Sequence, residues 1–166
     1  MNIRHAEVSD AKSLLELFKQ IDTETNFMLL EPDERTTTIE DQKKIIQDFA
    51  KSDTKAMIVA EENGDLLGFI IGVGNTTRRN RHSLYCVIGL IQSATGQGLG
   101  HQLLTNLEKW ATLHGITRLE LTVLCHNTRA IRLYKNFGFE VEGTKRHSLK
   151  IDGEYFDEFL MSKLLV

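Results

Sequence analysis

The stretch that most constrains this chain runs from Ser83 to Leu124: the apolar segment SLYCVIGLI leads through a glycine cluster, TGQGLGHQLL, into a helical pattern and out into TRLELTVL. The first segment has the length and apolar content of a central strand. From Gly98 onward Leu99, Leu103, Leu104, Leu107, Trp110 and Ala111 keep three-to-four spacing, and Gly115 supplies a C-terminal stop. A helix of that length between two strands predicts that they pair in parallel as a βαβ unit.

The flanking segments add antiparallel strands. AMIVAEENGDLLGFIIGVG holds two apolar runs joined around Asn63 and Gly64, a hairpin signal, and FEVEG with the residues after it forms a second hairpin with EYFDEFLMSKLL across Asp152 and Gly153. Asn2 to Ala6 reads as a short strand, Ser9 as the cap of an amphipathic helix carrying Leu14, Leu15, Leu17 and Phe18, and Ile39 to Phe49 as a second helix. Asn127 caps a shorter helix with Ala130, Ile131, Leu133, Tyr134 and Phe137, closed by Gly138. The expected fold is α/β, a mixed and mostly antiparallel sheet of about seven strands with about four helices.

The chain has 166 residues, no internal repeat or linker, and a lone proline, Pro32, between two helical patterns, so a single domain over 1–166 is expected. With 41% hydrophobic and 26% charged residues and a net charge of -3, nothing drives the whole molecule towards nucleic acid or an anionic membrane. MNIRHAEVSD lacks a signal-peptide pattern and no stretch reaches the roughly 18 apolar residues of a membrane span, so a cytoplasmic location is expected. Cys86 and Cys125 lie in or at the end of apolar runs and read as buried, reduced thiols. His126 beside Cys125 has no second cluster at ligand spacing, so no metal is expected. RRNRH at Arg78 to His82 reads as a solvated loop, the alternative being contact with nucleic acid or a ribose phosphate.

Each glycine inside regular structure costs about 0.5 to 1 kcal/mol relative to alanine, so Gly96, Gly98 and Gly100 point to a close approach, tight packing or a sharp turn. A glycine turn that feeds a helix start gathers unpaired amides at the positive end of the helix dipole, which suits a phosphate. A P-loop does not fit, because His101 and Gln102 stand where lysine and a hydroxyl residue are needed. A dinucleotide fingerprint lacks its third glycine, where His101 stands, and Glu120 falls in mid-strand.

Thr95-Gly96-Gln97-Gly98-Leu99-Gly100 resembles instead the motif Q/R-x-x-G-x-G/A of the acetyltransferase superfamily called GNAT, with Thr95 in place of the usual Gln or Arg. NTRAIRLYKNFGFEVEG resembles its second signature, N-x-x-A-x-x-x-Y-x-x-x-G-F, at Asn127, Ala130, Tyr134, Gly138 and Phe139. By motif the resemblance covers the second half of the chain, and by order of elements the first. It implies a GNAT fold in which the central parallel pair splays beside the glycine turn, acetyl-coenzyme A as cosubstrate, and a homodimer. The diphosphate is then expected on the backbone from Thr95 to His101, that is on Thr95, Gly96, Gln97, Gly98, Leu99, Gly100 and His101. The pantetheine arm is expected against the main chain of Leu90 and Ile91, with Asn127 and Ala130 beside it, and Tyr134 is expected to protonate the leaving thiolate. Plainer readings stand beside these: core packing for Leu90, Ile91 and Tyr134, and a helix cap for Asn127.

An alkylammonium acceptor, with a pKa of about 10, must lose a proton before it attacks. His82, ahead of the central strand, is the candidate base, the alternative being a surface-loop histidine. Glu31, Asp33 and Glu34, between the first two helices, would attract a cationic amine, the alternative being a solvated loop. The expected reaction is direct acetyl transfer to a primary amine of a small molecule or a protein N-terminus, and the competing expectation is a non-catalytic acyl-coenzyme A binding domain.

Overall fold

Seven strands hydrogen-bond into one sheet in the computed structural model, which describes residues 1–166. In chain order the elements are β1 (Asn2–His5), α1 (Ala11–Glu24), α2 (Ile39–Lys51), β2 (Lys55–Glu62), β3 (Asp65–Gly74), β4 (Ser83–Leu90), α3 (Leu99–Leu113), β5 (Arg118–Leu124), α4 (Thr128–Phe137), β6 (Glu140–Ile151) and β7 (Glu154–Leu164). The strands lie in the order β1-β2-β3-β4-β5-β7-β6, antiparallel throughout except for β4 and β5, the pair that α3 connects. Both hairpins turn where the sequence places them. Asn63 and Gly64 have φ of 52° and 85°, Asp152 and Gly153 of 51° and 81°, the two left-handed residues that match a turn to the twist of its strands. No helix is long and apolar enough to cross a membrane.

Side-chain alternation along β3 and β4 assigns the helices to opposite faces. Phe69 of β3 meets Phe18 of α1 edge-on at 4.8 Å between ring centres. Gly68 and Gly72 point the other way, where an added Cβ would strike Leu90 and Leu84 and would lie 3.1–3.5 Å from Leu103 and Leu107 of α3. Leu103, Leu104 and Leu107 are wholly buried on that side, each contributing about 1.5–3 kcal/mol. β2 and the middle of β3 are thereby covered on both sides, whereas Tyr85 and Val87 leave one face of β4 open. No helix covers β6, which is exposed along most of its length.

Ser9 does not cap α1. Val8–Asp10 forms a 3-10 turn in which the Asp10 carboxylate accepts the Glu7 amide at 2.7 Å and the Arg4 guanidinium at 2.8 and 2.9 Å. An ion pair back to β1 fixes the helix start in place of a hydroxyl. The loop after α1 is held by a second pair, Arg35 on Asp22 at 2.8 and 3.2 Å, with the Asp22 side chain fully buried and the guanidinium 4.9 Å above the Phe18 ring.

Candidate active site

β4 and β5 pair only at Ser83–Arg118, Leu84–Leu119 and Tyr85–Glu120, although β4 stays on β3 up to Leu90 and β5 stays on β7 up to Leu124. The two strands therefore part beyond Tyr85. Ile91 donates its amide to the Leu67 carbonyl at 3.0 Å on the β3 side. Backbone groups alternate between the two edges of a strand, so Leu90 and Ile88 turn theirs towards the gap. Leu90 thus faces the gap as expected, whereas the Ile91 amide is already spent inside the sheet. Unpaired amides and carbonyls within a sheet suit an extended ligand that completes the ladder.

The glycine turn opens directly from the end of this gap. Gly96 and Gly98 sit at φ of 76° and 82°, where any side chain would strain the backbone, and Gly98 caps α3. Gly100 serves differently: a Cβ there would lie 2.7 Å from Cδ2 of Leu133, so its absence lets α3 close on α4. The first helical bond runs from the Gln102 amide to the Gly98 carbonyl at 3.2 Å, which leaves the amides from Gly96 to His101 without an acceptor in the chain. Side chains of the turn are used to brace it. The Thr95 hydroxyl donates to the Gln92 carbonyl at 2.7 Å, the Gln97 amide group donates to the Ser93 carbonyl at 3.1 Å, and His101 stands edge-on to Phe137 at 5.2 Å.

α4 brings Tyr134 and Asn127 to the same gap. Tyr134 is buried, and burial pushes its phenol well above the ordinary 10.0, helped by its ionisable neighbours Cys86 and Tyr85 on β4. Asn127 caps the helix through its carbonyl oxygen, which accepts the Ala130 amide at 3.3 Å, and the other end of that side chain makes no bond within the chain. Burial raises the Cys86 thiol to about 12, which makes it inert. Cys125 is half-buried rather than buried, and partial burial together with Asp157 and Glu158 raises its thiol too.

The structure does not bring His82 to this place. Its carbonyl accepts the Thr117 and Arg118 amides at the closed end of the β4–β5 pair, the whole length of β4 from Leu90, or about 26 Å of extended chain. Arg78, Arg79 and Arg81 lie in the same exposed loop, equally far from the glycine turn. Glu24, which the sequence does not single out, does reach it: one carboxylate oxygen accepts the Gln92 amide at 3.1 Å, two residues beyond Leu90.

The loop after α1 and the β6–β7 hairpin enclose a cleft lined by Thr25, Met28, Leu30, Glu31, Leu149 and Lys150 among others. Glu31 is the one of the three expected loop acids that lines it. The Glu34 carboxylate instead accepts the Glu31 amide at 3.1 Å to close the turn, and Asp33 is exposed. Beside the β5–α4 connection the His126 ring lies between Phe27 of the loop and Phe156 of β7, at 5.3 and 4.9 Å, and joins the two walls.

Residues 15–139 match the model of the acetyltransferase (GNAT) family. The chain is 28% identical to the L-amino acid N-acetyltransferase AaaT of Escherichia coli (strain K12), with 98% of this chain and 96% of that protein covered. It superposes on the acetyltransferase of GNAT family from Streptococcus pneumoniae with a TM-score of 0.95 and 33% identity over 98% of each chain. The GNAT superfamily phosphinothricin acetyltransferase from Sinorhizobium meliloti, solved in complex with AcCoA, shares the fold at a TM-score of 0.85 and 20% identity, with 99% of this chain and 88% of that one covered.

Proposed function

The chain belongs to the acetyltransferase (GNAT) family, and from that premise we propose that it transfers the acetyl group of acetyl-coenzyme A directly to the primary amine of a small, amino-acid-like molecule. One observation carries the reading: an opened parallel pair and a run of free amides meet at the same end of β4. The residues fit the coenzyme. Leu90 offers an amide and a carbonyl to an extended arm, and Gly96 to His101 offer amides to a diphosphate at the positive end of α3.

The cosubstrate supplies an activated thioester. A gap-facing amide of β4 aimed at its carbonyl contributes about 3 to 4 kcal/mol as negative charge develops there. Tyr134, kept neutral by burial, gives its proton to the sulfur as the C–S bond breaks and is restored by the second proton that the nitrogen sheds as it becomes an amide. Glu24 accepts the proton that the ammonium must lose before the C–N bond forms. Asn127 steadies the arm with the end of its side chain that the helix cap leaves free.

Two features favour a small acceptor over a polypeptide. The ring contact of Phe27, His126 and Phe156 joins the walls on either side of the mouth. The cleft between those walls carries one anionic and one cationic side chain, Glu31 and Lys150, the complement of a zwitterion. The similarity to an L-amino acid N-acetyltransferase agrees with this. Thiol release from acetyl-coenzyme A, measured against free amino acids, polyamines and peptides with free N-termini, tests the reading. Turnover on a free amino acid or a close analogue is expected; turnover on peptides alone, or on nothing, contradicts it.

A further inference from the structure

The gap between β4 and β5 has a floor. Pairing ends at Tyr85 and Glu120, and two residues further along β5 the Thr122 hydroxyl lies 2.7 Å from the Tyr85 hydroxyl, bolting the strands together where they begin to part. The two side chains stand on the face away from α3, and Tyr85 is 38% exposed there. On the α3 face the same level is filled by Leu84 and Cys86, both buried, and by Tyr134 from α4. The gap is therefore open towards the glycine turn and blocked at the other end.

On the acetyl-transfer reading the phosphates lie at the glycine turn and the sulfur at Tyr134, which neighbours Cys86 and Tyr85, so the acyl group is the part nearest the floor. We infer, on the strength of the acetyl-transfer reading, that the Tyr85–Thr122 bridge sets the length of acyl chain this protein accepts, admitting acetyl and turning away chains of about four carbons or more. An acyl chain that grows past the acetyl carbon has two directions. Along the gap it meets the last β4–β5 pair, and out of the open face it meets the Tyr85 ring. Misfit by one methylene in such a pocket changes kcat/KM by about 10- to 200-fold.

The experiment measures calorimetric affinity and kcat/KM for acetyl-, propionyl-, butyryl- and hexanoyl-coenzyme A with the whole protein, with Tyr85→Ala and with Tyr85→Phe. The unmodified protein is expected to lose at least 10-fold in kcat/KM between acetyl and butyryl. Tyr85→Ala should raise the butyryl-to-acetyl ratio by 10-fold or more, while Tyr85→Phe, which keeps the ring, should retain the ranking. Should Tyr85→Ala melt too low to assay, Thr122→Ala opens the same floor from β5 and should move the ratio in the same direction. Tight binding of all four thioesters with a flat chain-length profile, or an unchanged ratio in the opened variants, overturns this inference alone. Failure to bind any of them overturns the acetyl-transfer reading with it.

Discussion

Glu24, the last residue of α1, accepts the Gln92 amide at 3.1 Å and so ties the helix that enters the acceptor loop to the segment between β4 and the glycine turn. A carboxylate in that position can take a proton from an amine delivered to the gap. Glu24→Gln is expected to lower kcat by about 10²-fold near neutral pH with acetyl-coenzyme A affinity within about twofold, and the deficit should shrink as pH approaches the amine's own pKa of about 10. Steady-state kinetics over pH check it; a deficit independent of pH would make Glu24 a brace for the loop and no base.

Tyr134 predicts a different signature. Its hydroxyl has no partner in the chain, so Tyr134→Phe should fold normally and bind coenzyme with unchanged affinity while kcat falls by about 10²-fold. Burial raises this phenol above 10.0, so the proton is held throughout the range below that pH. No alkaline limb attributable to it should appear in the pH-rate profile before pH 10.0.

Removing one partner of the Arg35–Asp22 pair leaves a charge stranded in the core. Arg35→Leu is expected to cost about 3 to 5 kcal/mol, and the double change Asp22→Leu with Arg35→Leu distinctly less, because it strands nothing. Chemical denaturation measures both. In the single variant the KM for the amine should rise, since the loop loses its anchor, while the affinity for acetyl-coenzyme A stays.

Stability should also carry an acid limb from Asp10. The hydrogen bonds from Arg4 hold its carboxyl below the ordinary 3.8, against the opposing effect of burial. A depressed carboxyl stabilises the fold fully above 3.8 and loses that contribution as pH falls through the lower, folded value. Asp10→Asn should start from a lower plateau in urea and lose less between pH 5 and acid, as followed by circular dichroism.

Much of the fold is legible because its signals are local. The three-to-four spacing of α3, the Asn-Gly and Asp-Gly turns and the Asn127 cap each name an element without reference to the rest of the chain. The splay is not local. Cys86 to Leu90 and Leu121 to Leu124 are apolar strands by every sequence measure, and nothing in them says that the pairing stops at Tyr85. Which edge of β4 an amide faces depends on ladder parity, which is why Leu90 is free and Ile91 is not. Glu24 meets Gln92 across a long stretch of chain, beyond the reach of any spacing rule. For His82 a signal did exist: the glycine turn lies past the C-terminal end of its strand, so a residue at the N-terminal end stands a strand's length from it.

The central claim is that the Gly96 to His101 amides and the opened edge of β4 hold the coenzyme. Backbone amide NMR during titration with acetyl-coenzyme A tests it most directly, because each of these N–H groups reports the acceptor it gains. The amides of Leu90 and of Gly96 to His101 should shift strongly and saturate together, with those of the Asn75 to His82 loop unmoved. Saturating coenzyme that leaves the Gly96 to His101 amides unshifted would contradict the account.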